Sequence, residues 1–302
     1  MKRVVSLLPS ATEIVFALGC GDDLVGVTFE CDYPPEARTR RVVSTSTLPE
    51  GLSPAEVDAV VSARVAAGED LYRLDEDALA DLDADLVLTQ DLCAVCAVDL
   101  DRVDDALAYL GCRAEVVTLD PRSLDEVLAS IVTVGDALGV PDRAASLTGD
   151  LSARVRAVEQ SVAGSARPEV LVLEWTDPPF SSGHWVPDLV TTAGGRSAGS
   201  APGEESRRIT WNDVTSARPD VVIVAPCGYH LADACAQAET VLRDDRVPAG
   251  AELWAVDADS YFVRPGPRLV DGAELVAQIL HPDVVGPPDP ERARHVGTHE
   301  RG

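Results

Sequence analysis

The chain has 302 residues, a hydrophobic fraction of 46%, and a formal net charge of −26 at pH 7 with Lys2 as its one lysine. A surface this acidic repels polyanions, which excludes nucleic acid and anionic membranes as partners; it suits a salty medium as well as ordinary acidic solubility. No stretch approaches the roughly 20 apolar residues that span a bilayer.

The length suits two domains of ordinary size. Lys2-Arg3 run straight into Val4-Val5-Ser6-Leu7-Leu8 and then Pro9, an apolar run too short for the core of an export signal, so a cytoplasmic protein with reduced thiols is expected.

Short β-branched runs alternate with amphipathic helices, the pattern of parallel strands with crossover helices. Strands are predicted at Val4 to Leu7, Leu24 to Val27, Leu86 to Leu88 and Glu115 to Thr118. Ser10-Ala11-Thr12-Glu13 has capping-box spacing and predicts a helix from there to Gly19; Ser53-Pro54-Ala55-Glu56 predicts another ending near Gly68. From Ser123 to about Val162 there is no strand signal. Leu124, Val127, Leu128, Ile131, Val134 and Leu138 recur at helical spacing, and Gly139-Val140-Pro141 breaks or kinks a helix that resumes through Val155.

After Arg167-Pro168 the alternation returns, with strands at Val170 to Leu173, Val221 to Val224 and Leu253 to Val256 and a helix at Leu269 to Leu280. The two halves echo each other: Asp85 precedes the strand that leads to Cys93, and Asp220 precedes the strand that leads to Cys227. The expected organisation is an N-terminal α/β lobe (1–120), a helical connector (121–166), a C-terminal α/β lobe (167–281) and a Pro-rich, disordered tail (282–302).

Four of the seven cysteines, Cys31, Cys93, Cys96 and Cys227, fall just past predicted strand ends. Loops at that end of α/β sheets meet at one face, so the four sulfurs are expected to converge on a cleft as metal ligands. Three readings stand side by side: a tetrahedral zinc site with Zn–S of about 2.3 Å, an iron–sulfur cluster bridging the lobes, and small buried hydrophobes. Cys20, Cys112 and Cys235, in or beside helices, fit the last of these.

Many of the thirteen aromatic residues share these loops: Phe29 and Tyr33 flank Cys31, Trp175, Phe180 and Trp185 follow the strand at Val170, Tyr229 follows Cys227, and Tyr261 and Phe262 follow the last strand. Aromatics past strand ends cannot fill their own sheet's core, and they predict a flat apolar face for a planar ligand, with Phe180 and Phe262 packing loops instead. His184 and His230 are available as a base or a metal ligand, yet no nucleophile is placed beside them. Gly194-Gly195 and Gly19-Cys20-Gly21 match neither phosphate-loop nor dinucleotide fingerprints. A non-catalytic binding protein is therefore expected, with a redox enzyme using the Cys93/Cys96 pair as a third reading.

Taken in order, Val4 to Glu13 followed by Leu18-Gly19, Gly26-Val27-Thr28, Asp32-Tyr33-Pro34-Pro35, Pro178 to Gly183, Ala193-Gly194-Gly195, Trp211-Asn212-Asp213-Val214, Arg218-Pro219-Asp220 and Arg264-Pro265-Gly266-Pro267-Arg268 resemble the cobalamin-binding substrate-binding proteins of ABC importers. The resemblance implies a class III periplasmic-binding-protein fold of the helical-backbone metal-receptor type. In it, two Rossmann-like α/β lobes are joined by a long helix, with cobalamin, heme or an iron chelate held in the cleft. It also implies that Pro9, Tyr33, Trp175, Phe180, Tyr261 and Arg264 occupy ligand-facing positions. Combined with the residue reading, the expectation is a cytoplasmic protein that stores, buffers or senses a corrinoid. The corrinoid would stack on Tyr33, Trp175 and Trp185 beside Tyr229, with Cys31, Cys93, Cys96 and Cys227 as thiolate ligands to cobalt, iron or zinc. The alternative is an iron–sulfur or zinc protein with no corrinoid.

Overall fold

The computed structural model describes residues 2–49, 51–69, 71–90 and 114–299. The chain divides into two compact units, one made of Met1–Pro121 with Leu128–Gly149 and the other of Arg122–Val127 with Asp150–Gly302.

The first unit is built from β1 (Val4–Ser6), α1 (Pro9–Ala17), β2 (Leu24–Thr28), β3 (Arg41–Ser46), α2 (Pro54–Ala67), β4 (Tyr72–Leu74), α3 (Glu76–Leu82), β5 (Leu86–Thr89) and β6 (Glu115–Thr118). Its sheet runs β4-β3-β2-β1-β5-β6. Every pairing is parallel except β3 with β4, so crossovers carry the starts of the parallel strands to one edge and their ends to the other. Val5, Leu7, Val43 and Val87 bury their side chains against Ala78, Leu79 and Leu82 of α3. Gly26 permits that approach, because a Cβ there would lie 2.6 Å from Leu82 Cδ1.

Helix α1 starts two residues earlier than its capping-box spacing predicts. Pro9 occupies its first turn, Leu8 is the N-cap with no side-chain bond, and Ser10 is buried instead of capping. The box at Ser53 and Glu56 does form, with Ser53 N–H donating to Glu56 Oε2 at 2.8 Å.

The connecting segment is two helices, α4 (Leu124–Leu138) and α5 (Pro141–Val162), separated at the break expected at Gly139-Val140-Pro141. Gly139 turns left-handed at φ +73° and Pro141 opens the next helix. Where they cross, a Cβ on Gly135 would lie 2.4 Å from Ala144 Cβ. The chain passes between the units inside these helices, so neither unit is contiguous in sequence.

The second unit continues with β7 (Glu169–Thr176), β8 (Pro179–Ser181), α6 (Val186–Thr192), β9 (Arg196–Ser197), β10 (Arg207–Arg208), α7 (Trp211–Ala217), β11 (Val221–Val224), α8 (Leu231–Arg243), β12 (Glu252–Val256), α9 (Ala258–Tyr261), α10 (Leu269–Leu280), α11 (Pro282–Val285) and β13 (Ala293–Thr298). The sheet order is β10-β8-β7-β11-β12-β13, with β9 also on β7. Its centre, β7-β11-β12, is parallel, while β8, β10 and β13 pair antiparallel. Leu171, Leu173, Val222, Val224, Leu253 and Ala255 pack against Ala234, Cys235, Ala238 and Val241 of α8.

The tail departs from its expected disorder. β13 lies along β12 from Glu252↔Thr298 to Val256↔Ala293, and His295 stacks beside Trp254 with ring centroids 5.1 Å apart. Its sequence, Ala293-Arg294-His295-Val296-Gly297-Thr298, has too little apolar alternation to announce a strand; the open edge of β12 supplies the hydrogen bonds that its composition does not advertise.

Candidate functional site: the strand-end loops of each unit

In the first unit, the loops after β1 and β2 carry the candidate residues. β1 ends at Ser6, and Pro9, half-buried, opens α1 two residues after Leu7. After β2 the chain exposes Phe29 and Tyr33, 42% and 46% accessible, on either side of a buried Cys31. Tyr33 is joined to Pro34 by a cis peptide. Pro34, Pro35 and the short 3₁₀ turn that follows restrict the backbone, so the phenol ring stands on a stiff segment. Phe29 packs against Tyr72 of β4 at a centroid distance of 6.2 Å, a partner that the sequence alone did not single out.

Strand ends of the second unit carry a larger aromatic group. Trp175, at the end of β7, and Tyr229, past β11, form a tilted pair with centroids 5.6 Å apart. The indole is pinned by its Nε1–H donating to the Asp177 carbonyl at 3.1 Å, beside the cis Asp177-Pro178 peptide. Phe180 of β8 is half-buried under the guanidinium of Arg208, 5.5 Å from its ring. Burial, reinforced by Asp233, pushes the Tyr229 phenol up from its ordinary value, so it stays a neutral donor surface at physiological pH.

The loop after β12 adds a charged network beneath the third aromatic. Tyr261 is flanked by the guanidinium carbons of Arg292 and Arg268, 5.0 and 5.9 Å from its ring. Burial, with Asp257, raises its phenol against the opposite pull of those arginines. Arg264 is enclosed at 8% exposure and reaches Asp259 at 2.5 Å. His230 Nδ1 lies 3.0 Å from Asp257 Oδ1, and its Nε2 lies 3.7 Å from Asp259 Oδ2. Arg264 thus orients a carboxylate, in place of the open ligand-facing position that the resemblance implies for it.

Trp185 also departs from its expected role as a stacking surface. It is 7% exposed, and its indole N–H donates to the Phe262 carbonyl at 2.7 Å, so it packs the unit's interior. Phe262, expected to pack a loop, is fully enclosed.

The cysteines are less alike than their positions past strand ends predict. Cys31 is buried with Sγ 3.0 Å from Thr12 Oγ1, as a small group inside the first unit. Cys227 is exposed, and its backbone N–H donates to the Glu174 carbonyl at 3.1 Å. Cys93 and Cys96 lie outside the described residues, as does Cys112. Cys20 and Cys235 are buried, as expected. No described helix is long and apolar enough to cross a membrane.

This geometry can be set beside known proteins. The family model described as "Periplasmic binding protein" matches residues 4–255. The chain belongs to this family. It is 25% identical, over 93% of its length and 81% of the relative's, to a Bacillus subtilis uncharacterized ABC transporter substrate-binding lipoprotein. It is 27% identical to the cobalamin-binding protein of Halobacterium salinarum, over 93% of this chain and 69% of that protein. Its fold matches a periplasmic heme-binding protein of Pseudomonas aeruginosa with a TM-score of 0.73 at 20% identity, covering 99% of each chain.

The fold is therefore the class III periplasmic-binding-protein fold expected from the motifs, with two α/β lobes, and the family consists of binding proteins, not enzymes. Membership corrects the expected compartment. By name the relatives include a lipoprotein and a periplasmic protein, against a cytoplasmic location, and the residues with which this sequence starts do not decide the matter. The names of these relatives carry cobalamin and heme; the zinc and iron–sulfur readings find no support in them.

Proposed function

We propose that this protein is the substrate-binding component of an importer and that its ligand is a corrinoid of the cobalamin type, delivered to a membrane permease. The observation that carries the reading is the placement of exposed or half-exposed aromatics at the strand ends of both units: Tyr33 and Phe29 in one, and Trp175, Tyr229 and Tyr261 in the other. Such faces suit a large planar macrocycle, and the cobalamin-binding relative agrees with that choice.

Charge favours a corrinoid over heme. Heme presents two carboxylates, which call for arginines to receive them. In the second unit the enclosed Arg264 is engaged by Asp259, and the chain carries a net charge of −26. A corrinoid bears neutral amide arms, which both donate to carboxylates such as Asp257 and Asp259 and accept from the Tyr229 and Tyr261 phenols. Tyr33 on its stiff proline loop is the stacking contact expected to matter most.

Isothermal titration with cobalamin and with hemin tests the reading. Cobalamin is expected to bind in the micromolar range or tighter, about −8 kcal/mol or better. Tyr33→Ala is expected to weaken it about tenfold or more while leaving the melting temperature in place. Tighter binding of hemin than of cobalamin would overturn the corrinoid assignment in favour of a heme or iron-chelate carrier.

A further inference from the structure

The segment between β9 and β10, residues 198–206, folds back over the end of β8 and is fastened there by main-chain bonds to His184. The His184 N–H donates to the Glu204 carbonyl at 2.6 Å, and Gly203 N–H donates to the His184 carbonyl at 3.0 Å. Ser206 Oγ reaches the Ser181 carbonyl at 2.9 Å, and the hydroxyls of Ser182 and Ser200 are 3.0 Å apart. The two backbones touch: a Cβ on Gly183 would lie 2.2 Å from Ser206 N. To fit this clasp His184 adopts a left-handed φ of 52°, which non-glycine residues seldom take without a reason.

That conformation turns the imidazole inward. Its Nε2 is enclosed and has no hydrogen-bond partner among the described residues, and the ring packs beside Trp185 at 5.6 Å. Two charged groups act on it: Arg122, just before α4, and Glu205, from the loop itself, which pair weakly with each other at 3.8 Å. Burial first, then the Arg122 charge, hold the imidazole below its ordinary titration range, and Glu205 opposes them by less. A proton added at Nε2 would place a charge where no described residue accepts its N–H.

We propose that the 198–206 loop is an acid-sensitive cover over β8, held closed by neutral His184 and loosened when the imidazole gains a proton. The closed loop binds the proton less well than the open one. Its stability is therefore fully present above the titration of a solvated histidine and is lost as pH falls through the lower titration of the closed state. The cover leads directly into β10, which pairs Arg208 with Phe180 and sets the guanidinium over that ring. Its bearing on ligand release rests on the corrinoid reading; the opening of the loop does not.

The test uses the full chain without ligand. Histidine ring resonances are followed by NMR between about pH 8 and pH 5, and amide exchange of residues 198–208, corrected for the intrinsic effect of pH, is compared at the two ends. The His184 ring is expected to titrate below the ordinary value of a solvated histidine, and protection of the loop to fall about tenfold for each pH unit of that difference. His184→Asn, which tolerates the left-handed backbone but takes no proton, should keep the loop protected at both ends. A His184 that titrates at the ordinary value of a solvated histidine, loop protection unchanged by acid, or an undiminished acid response in His184→Asn would each overturn the proposal. The wild-type titration and exchange stand alone should the variant fail to fold.

Discussion

Trp185 donates its indole N–H to the carbonyl of Phe262 across 77 positions of sequence, joining the start of α6 to the loop after α9. This bond explains why a tryptophan beside the candidate face is not part of it. Trp185→Phe keeps most of the apolar bulk but leaves a buried carbonyl without its donor. We expect a loss of about 1–3 kcal/mol in urea unfolding, with cobalamin affinity changed by less than about twofold. A marked drop in affinity at unchanged stability would return Trp185 to the ligand surface.

Asp85 and Asp220 do the same work in the two units. Asp85 Oδ2 accepts Arg3 N–H at 2.8 Å just ahead of β1, and Asp220 Oδ2 accepts Glu169 N–H at 2.8 Å at the start of β7. Each follows a helix whose C-cap is left-handed, Asp83 at φ 39° and Arg218 at φ 47°. Asp85→Ala and Asp220→Ala should each cost about 1 kcal/mol, and because the sites share no partner the double variant should lose the sum. Strong non-additivity in chemical denaturation would show that the two strand starts are coupled.

β13 covers the edge of β12, so a chain ended after Leu280 presents an unpaired strand to solvent. Truncation is expected to lower the melting temperature and to promote association, read by light scattering at increasing protein concentration. A truncated protein that stays monomeric and equally stable would make the C-terminal strand dispensable.

With 51 acidic against 25 basic residues, self-repulsion opposes the compact state. Raising sodium chloride from about 0.1 to 2 M should raise the melting temperature by roughly 5 °C or more as the repulsion is screened. A flat profile would mean that the acidic groups are far enough apart to be indifferent to one another.

Much of the fold was legible because its parallel strands are buried on both faces and therefore read as unbroken β-branched runs. Val4–Ser6, Val221–Val224 and the helix at Leu269–Leu280 fall where their patterns place them. The strands that the pattern does not announce, β3, β4, β8, β9, β10 and β13, are short, polar or at edges, where neighbouring strands and not side-chain pattern dictate pairing. Among site residues, Tyr33, Trp175 and Tyr229 were visible as aromatics past strand ends. The enclosure of Trp185 and Arg264 was not, because burial there depends on the Phe262 carbonyl and the Asp259 carboxylate, brought close only by the tertiary fold.

The passage of the chain through α4 and α5 has a consequence for how the protein is made. The first unit cannot be completed until Gly149 has been synthesised, since Lys2 Nζ bonds the Ala137 carbonyl at 2.5 Å and Arg143 reaches the Leu18 carbonyl at 3.1 Å. No single cleavage leaves both halves whole. A nascent chain halted near Pro121 carries a sheet with part of its covering missing, and an attempt to express the halves as separate modules would inherit the same defect.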